Sequence, residues 1–97
     1  MPKYIIERDI PGIGGVALRD MQQIAAKSND VLQTMQQQGQ SVQWVESYVT
    51  GNKMYCVYNA PNAQAIRQHA EQGGCPANRI EEVTRVVDPT TAEARAA

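Results

Sequence analysis

The sequence contains few residues of the kinds that build metal, disulfide and stacking sites. Its 97 residues include one Trp, four Tyr, no Phe, one His and two Cys. Cys56 and Cys75 form neither a CxxC pair nor a spacing typical of zinc ligands, so we predict two free thiols. Lys and Arg number 9 against 10 Asp and Glu, and this lack of a basic surplus argues against nucleic-acid binding.

Long apolar runs are also missing. Met1 is followed at once by polar and charged residues, so we expect neither a signal peptide nor a membrane span, and we expect a cytoplasmic location. The length suits one small domain with a modest core, to which dimerisation would add burial. We assign residues 1–90 to a single domain and residues 91–97 to a flexible C-terminal tail.

The hydrophobic pattern alternates between strand and helix periods. A period of two or a β-branched run predicts strands over 3–10, 42–49, 54–60 and 77–88, and helical spacing predicts helices over 17–38 and from Asn62 to Gly73. The order β-α-β-β-α-β predicts an α+β, ferredoxin-like fold, in which an antiparallel four-stranded sheet carries both helices on one face. The other face would be bare, which suits a dimeric α/β barrel.

The segment GIGGVA at 12–17 matches the G-x-G-x-x-A pattern of dinucleotide-binding turns. Such a unit needs a parallel second strand that ends in an acidic residue, whereas here the second strand ends Val49-Thr50-Gly51 and enters a hairpin. We therefore interpret the glycines as a turn where the first strand leaves the sheet.

The hairpin at Gly51-Asn52 predicts which side chains share a face of the sheet. Val45, Ser47, Val49, Met54, Cys56 and Tyr58 would lie under the helices. The opposite face would carry an unusual mixture of aromatic and acidic side chains, which indicates a pocket or an interface. The pocket candidates are Glu7, Trp44, Glu46, Tyr48 and Tyr55.

The segments ERDIPG (7–12), SYVTGNKMYCVYNAP (47–61) and AIRQHAEQGGCPANRI through VVDPTT resemble a family of small bacterial ferredoxin-like domains of unknown function. That family includes an actinobacterial nickel-binding protein, and the resemblance covers roughly residues 2–91. It implies the ferredoxin-like fold, a homodimer and nickel as a bound metal, but it transfers no ligand residue by residue.

Two functions follow as hypotheses. The first is a small cytoplasmic homodimer, without enzymatic activity, that binds a divalent transition metal, with nickel expected from the resemblance. Its candidate ligands are His69, Glu7, Glu46 and Cys75, assembled from two chains because one His and two Cys make no complete site. His69 also fits a surface position near the helix end.

The alternative is a barrel that binds a small molecule or catalyses a cofactor-free reaction on the open sheet face. Glu7 or Glu46 would act there as a base, and the tyrosines would bind an oxyanion. Both carboxylates also fit ordinary ion pairs with Arg8, Lys53 or Arg85. The aromatic strand NKMYCVYNA has only a distant similarity to an RNA-binding strand, so we predict neither nucleic acid nor membrane as a partner.

Overall fold

The computed structural model describes residues 1–96, and the side chains of residues 1–93. The strands are β1 (Lys3–Asp9), β2 (Gln43–Val49), β3 (Lys53–Asn59) and β4 (Arg79–Val83), and the helices are α1 (Leu18–Gln37) and α2 (Ala63–Gly73). The predicted ferredoxin-like order is confirmed. The last strand ends five residues earlier than predicted.

The four strands form one antiparallel sheet in the order β2-β3-β1-β4. The central strands β3 and β1 pair over their whole length, with Ile6 opposite Cys56. In the hairpin, Val49 pairs with Met54 and Ser47 with Cys56, as predicted from a two-residue turn. The turn is closed by Thr50, whose backbone N–H donates to the carbonyl of Lys53.

A β-bulge between Trp44 and Glu46 corrects the predicted faces at the start of β2. Trp44 pairs with Tyr58, whereas Glu46 pairs with Val57, so Val45 is the extra residue. A bulge puts two residues opposite one and shifts the alternation by one position. Trp44 therefore lies on the helix side of the sheet, where it packs against the core. Its assignment to the open-face pocket was wrong, as was the assignment of Val45 to the core.

Both helices cover the face that carries the apolar positions of the sheet. Ile6, Met35 and Ile66 are the largest fully buried side chains and join β1, α1 and α2 in one core. Asn62 caps α2, because its side chain accepts a hydrogen bond from the N–H of Ala65. Gly74 ends α2 with φ 68°, a left-handed conformation that favours glycine.

The glycine segment after β1 is a short 3-10 turn, Ile13–Gly15, that packs on the β2–β3 hairpin. Gly12 precedes it with φ 80°. Gly14 approaches the hairpin so closely that a Cβ there would lie 2.6 Å from the carbonyl oxygen of Thr50. The glycines therefore serve a chain reversal and a close backbone contact, which supports the interpretation of the motif as a turn.

After β4, a 3-10 helix spans Pro89–Ala96. The division into a domain at 1–90 and a flexible tail at 91–97 stays a prediction, and residue 97 lies outside the described residues. Over residues 1–96, neither helix combines the length and the apolar character that crossing a bilayer requires.

Candidate functional site

The sheet separates the predicted site residues into two groups. The face that the helices leave open carries Glu7, Glu46, Tyr48 and Tyr55. Glu7 and Tyr48 both pair with Tyr55, and Glu46 lies two residues before Tyr48 on the same strand, so it shares that face. His69 and Cys75 lie on the other side, at the cavity between the helices and the sheet. The four candidate metal ligands of one chain are therefore not brought together.

On the open face, the carboxylates already have partners. The ammonium of Lys53 lies 3.2 Å from Glu7 Oε1 and 3.2 Å from Asp9 Oδ1, so the alternative of an ordinary ion pair holds for Glu7, with Lys53 as its partner. Both carboxylates raise the pKa of Lys53, with the hydrogen bond to Glu7 as the largest cause. The Tyr48 hydroxyl donates to the Glu46 carboxylate, and this hydrogen bond raises the pKa of Tyr48.

The open face also carries an apolar depression of about 270 Å³. Apolar side chains from all four strands and the following segment form most of it: Ile5, Val45, Val57, Val83 and Val86. Ile5, Val45 and Val86 are exposed in the single chain. Glu46 and Tyr48 border this depression, whereas Glu7 and Tyr55 do not. The residues of the predicted acid–base pocket therefore do not share one depression, and the Tyr48 hydroxyl already donates its hydrogen bond to Glu46.

A larger cavity of about 460 Å³ lies on the other side of the sheet. Its walls come from α1, α2, the strands β1, β2 and β3, and the loops that follow β1 and α2. They are mainly apolar, and the side chains concerned include Ile10, Ile13, Met21, Ile24, Trp44, Val49 and Met54. Volumes of roughly 300–1,000 Å³ with mostly apolar walls and a few polar groups are typical of small-molecule sites. The few polar groups of this cavity therefore determine which molecules it could bind.

Arg8 is the most unusual of these groups, since it is only 3% exposed. Its Nη1 donates to the carbonyl of Pro76 at 2.7 Å, and its Nε donates to Cys56 Sγ at 3.4 Å. Among the residues whose side chains are described, no carboxylate forms an ion pair with it. A buried charge is ordinarily paired because its desolvation is costly. Arg8 is held in place by a backbone carbonyl and a sulfur atom, and no described carboxylate compensates its charge.

His69 lines the same cavity and is also 3% exposed, so its predicted surface position is wrong. Its Nε2 lies 3.2 Å from Ser28 Oγ, and its ring centroid lies 5.2 Å from that of Tyr58. Burial, and then the positive charge of Arg8, lower the pKa of His69 to about 4. The imidazole is neutral at physiological pH, and its buried Nδ1 has no partner among the described residues.

Both cysteines are free thiols, as predicted. Cys56 is buried on β3 and contacts Arg8, whereas Cys75 is half-buried in the loop between α2 and β4. Both line the cavity. Their thiols and the neutral imidazole are ligand types that suit nickel. The Arg8 cation in the same cavity opposes the entry of a metal cation.

The fit to a metal is therefore poor within one chain. Over the part of the chain that the structure describes, no three His, Cys, Asp or Glu side chains are grouped closely enough to hold an ion. A metal site would need ligands from more than one chain, as the sequence already suggested.

Sequence reasoning missed Arg8 as a site residue, although the signal was present. Tyr4, Ile6 and Arg8 have the same parity along β1, so the alternation that buries Tyr4 and Ile6 also directs Arg8 to the helix side. Similarly, His69 lies three residues after the buried Ile66 on α2, which places both on one helix face.

Comparison with known proteins agrees with this architecture. A solved structure, that of SCO4226 from Streptomyces coelicolor A3(2), superposes with a TM-score of 0.71 at 17% identity, over 88% of this chain and 99% of that one. At this identity the likeness shows the fold alone. No curated protein matches the sequence significantly.

A family model matches residues 4–83, which is most of the chain and includes both helices and, apart from Lys3, all four strands. Its description reads nickel responsive protein, SCO4226-like. The resemblance stated from the sequence is thereby confirmed. The chain belongs to the SCO4226-like family of nickel-responsive proteins.

Proposed function

We propose that this protein binds a divalent transition metal, nickel in the first place, as a non-enzymatic homodimer. The observation that carries the proposal is the match to a nickel-responsive family over residues 4–83. The cytoplasmic location expected from the sequence stays a prediction.

The open sheet face is the better candidate for the metal. It carries the carboxylates of Glu7 and Glu46, whereas the cavity on the other side holds the uncompensated cation of Arg8. A divalent ion of like charge is repelled from a mainly apolar cavity that contains a guanidinium. The carboxylates of the open face are accessible to solvent, which screens charge repulsion, and the ion would compete there with the Lys53 ammonium for Glu7.

A second copy of the chain would complete such a site. Ile5, Val45 and Val86 are exposed around the open-face depression, and packing two such faces together would bury them. The same packing would bring Glu7 and Glu46 of both chains to one interface. The dimer thus supplies the number of ligands that one chain lacks.

Calorimetric titration of tag-free protein with nickel, zinc and cobalt, with light scattering for mass, tests this proposal. We expect a dimer and saturable nickel binding tighter than about millimolar. Glu7→Gln and Glu46→Gln should each weaken binding at least about tenfold, whereas Glu71→Gln on the exposed side of α2 should not. Lys53→Gln should strengthen binding, because it frees Glu7 from its ammonium partner.

Substitution of the candidate metal ligands in the cavity tests the other possible location of the metal. If His69→Ala or Cys75→Ser removes nickel binding while both glutamine variants retain it, the metal lies in the cavity and the assignment to the open face is wrong. The absence of binding to the wild-type dimer would refute the metal function itself.

A further inference from the structure

The cavity between the helices and the sheet is lined by positive charge, which has no role in the proposed nickel function. The charged side chains among its described lining residues are Arg8 and Lys27, and no Asp or Glu accompanies them. Arg8 lies inside, whereas Lys27 is exposed on α1, near Gly74. A molecule that enters therefore meets positive charge at both positions.

We propose that this cavity binds one small organic monocarboxylate with an apolar body. The carboxylate would pair with the Arg8 guanidinium, and the apolar body would lie against the surrounding walls, with Met21, Ile24 and Trp44 among them. This site is independent of the open sheet face.

The buried guanidinium is the first argument for this ligand class. Its two observed acceptors are the Pro76 carbonyl and Cys56 Sγ, and neither is a carboxylate. They orient the group but leave its charge uncompensated. A carboxylate would compensate that charge, and the planar guanidinium matches it with two parallel N–H donors.

The walls are the second argument, and they favour a monoanion over a phosphate. A cavity of about 460 Å³ with mostly apolar walls holds an organic molecule rather than a single ion. A dianionic phosphate would need a second buried cation, but Lys27 is exposed and His69 is neutral, with a pKa of about 4. The interior thus offers one full positive charge.

His69 adds a polar contact. It is anchored by Ser28 through Nε2, while its buried Nδ1 has no partner among the described residues. A buried nitrogen without a hydrogen bond is unusual in a folded protein. A ligand that carries a second polar atom would satisfy it, so hydroxy- or keto-substituted acids should bind more tightly than unsubstituted ones.

The protein contains a built-in reporter for the test, because Trp44 is its only tryptophan and lines the cavity. Tag-free protein would be titrated with phenylacetate and octanoate, with their neutral amides phenylacetamide and octanamide, and with phenyl phosphate. Trp44 fluorescence and calorimetry would both be recorded. We expect saturable binding of at least one carboxylate at one per chain, at least about tenfold tighter than its amide.

Two variants distinguish the contribution of the Arg8 charge from that of the cavity volume. Arg8→Met should reduce carboxylate affinity at least about tenfold and leave the amide unchanged, whereas Arg67→Gln on the exposed side of α2 should change neither. Ala25→Phe should fill the cavity and abolish the binding of both while leaving Arg8 in place. This second variant keeps the test valid if Arg8→Met fails to fold.

Three outcomes would overturn the proposal. One is equal affinity for a carboxylate and its amide, and another is a preference for phenyl phosphate over both carboxylates. The third is the absence of any fluorescence or calorimetric response to the carboxylates up to about 10 mM in the folded wild-type protein. Nickel binding is measured with different variants, so its failure would leave these results interpretable.

Discussion

Lowering the pH from 7 to 5 should destabilise this protein through its single histidine. In the folded chain, burial and the Arg8 cation lower the pKa of His69 from 6.5 to about 4. The unfolded chain therefore binds more protons than the folded chain between these two values, and stability falls as the pH decreases through this window. The linkage relation gives a loss of about 2 kcal/mol in the free energy of unfolding between pH 7 and pH 5. That is a large fraction of the roughly 5–15 kcal/mol typical of small domains.

Urea unfolding at pH 7, 6 and 5, followed by circular dichroism, measures this loss. His69→Gln is the matched control, because its amide can still bond to Ser28 but does not titrate. Hydrogen bonds from Thr90 also lower the pKa of Asp88 from its ordinary value of 3.8. The protonation of Asp88 therefore changes stability mainly below about pH 4, outside the range from pH 7 to pH 5. A loss below about 0.5 kcal/mol in the wild type, or an equal loss in His69→Gln, would refute the reasoning about the buried imidazole.

Two further predictions concern the turn and the thiols. Gly14→Ala should lower the free energy of unfolding by about 1–3 kcal/mol, because its Cβ would lie 2.6 Å from the Thr50 oxygen and 2.8 Å from Gly51 Cα, both backbone atoms. Gly15→Ala is the control, because its Cβ would have no neighbour within 4 Å, and it should lower the free energy of unfolding much less. Equal losses for the two variants in urea unfolding would contradict the contact argument. Cys75, half-buried, should react with a maleimide well before Cys56, which is 2% exposed. Mass spectrometry of the peptides measures the order, and Cys75→Ser should remove the fast reaction.

The fold could be predicted from the sequence because each element has a local cause. The hairpin register followed from the two turn residues Gly51-Asn52, and the start of α2 followed from the Asn62 cap. Such signals depend on neighbouring residues alone. They do not require knowledge of what packs on the element.

The bulge at Val45 could not be derived in the same way. Nothing in the segment QWVES identifies which residue is the extra one, because the bulge depends on the pairing with β3. Yet it decides whether Trp44 faces the open side or the cavity. One unpredicted residue thus moved the only tryptophan from the predicted pocket to the observed one.

The candidate site was hard to predict for a related reason. Charged residues in a strand were expected to pair with each other or to face water, and Glu7 and Asp9 do pair with Lys53. Arg8, between them in sequence, points the opposite way and is buried. Its significance lies in the absence of an ion-pair partner among the described side chains, which no local pattern encodes.

The alternation of β1 places two carboxylates on one face of the sheet and a buried guanidinium on the other. Glu7 and Asp9 lie on the open face with Lys53, and Arg8 lies under the helices. Under the two proposals, a metal cation would bind on one side of the sheet and an organic anion on the other. Each ligand would be repelled from the other's site by the charge already there. β1 contributes Glu7 to the proposed metal site and Arg8 to the proposed anion site, so the two proposals together predict that nickel and a carboxylate would not compete for the same residues.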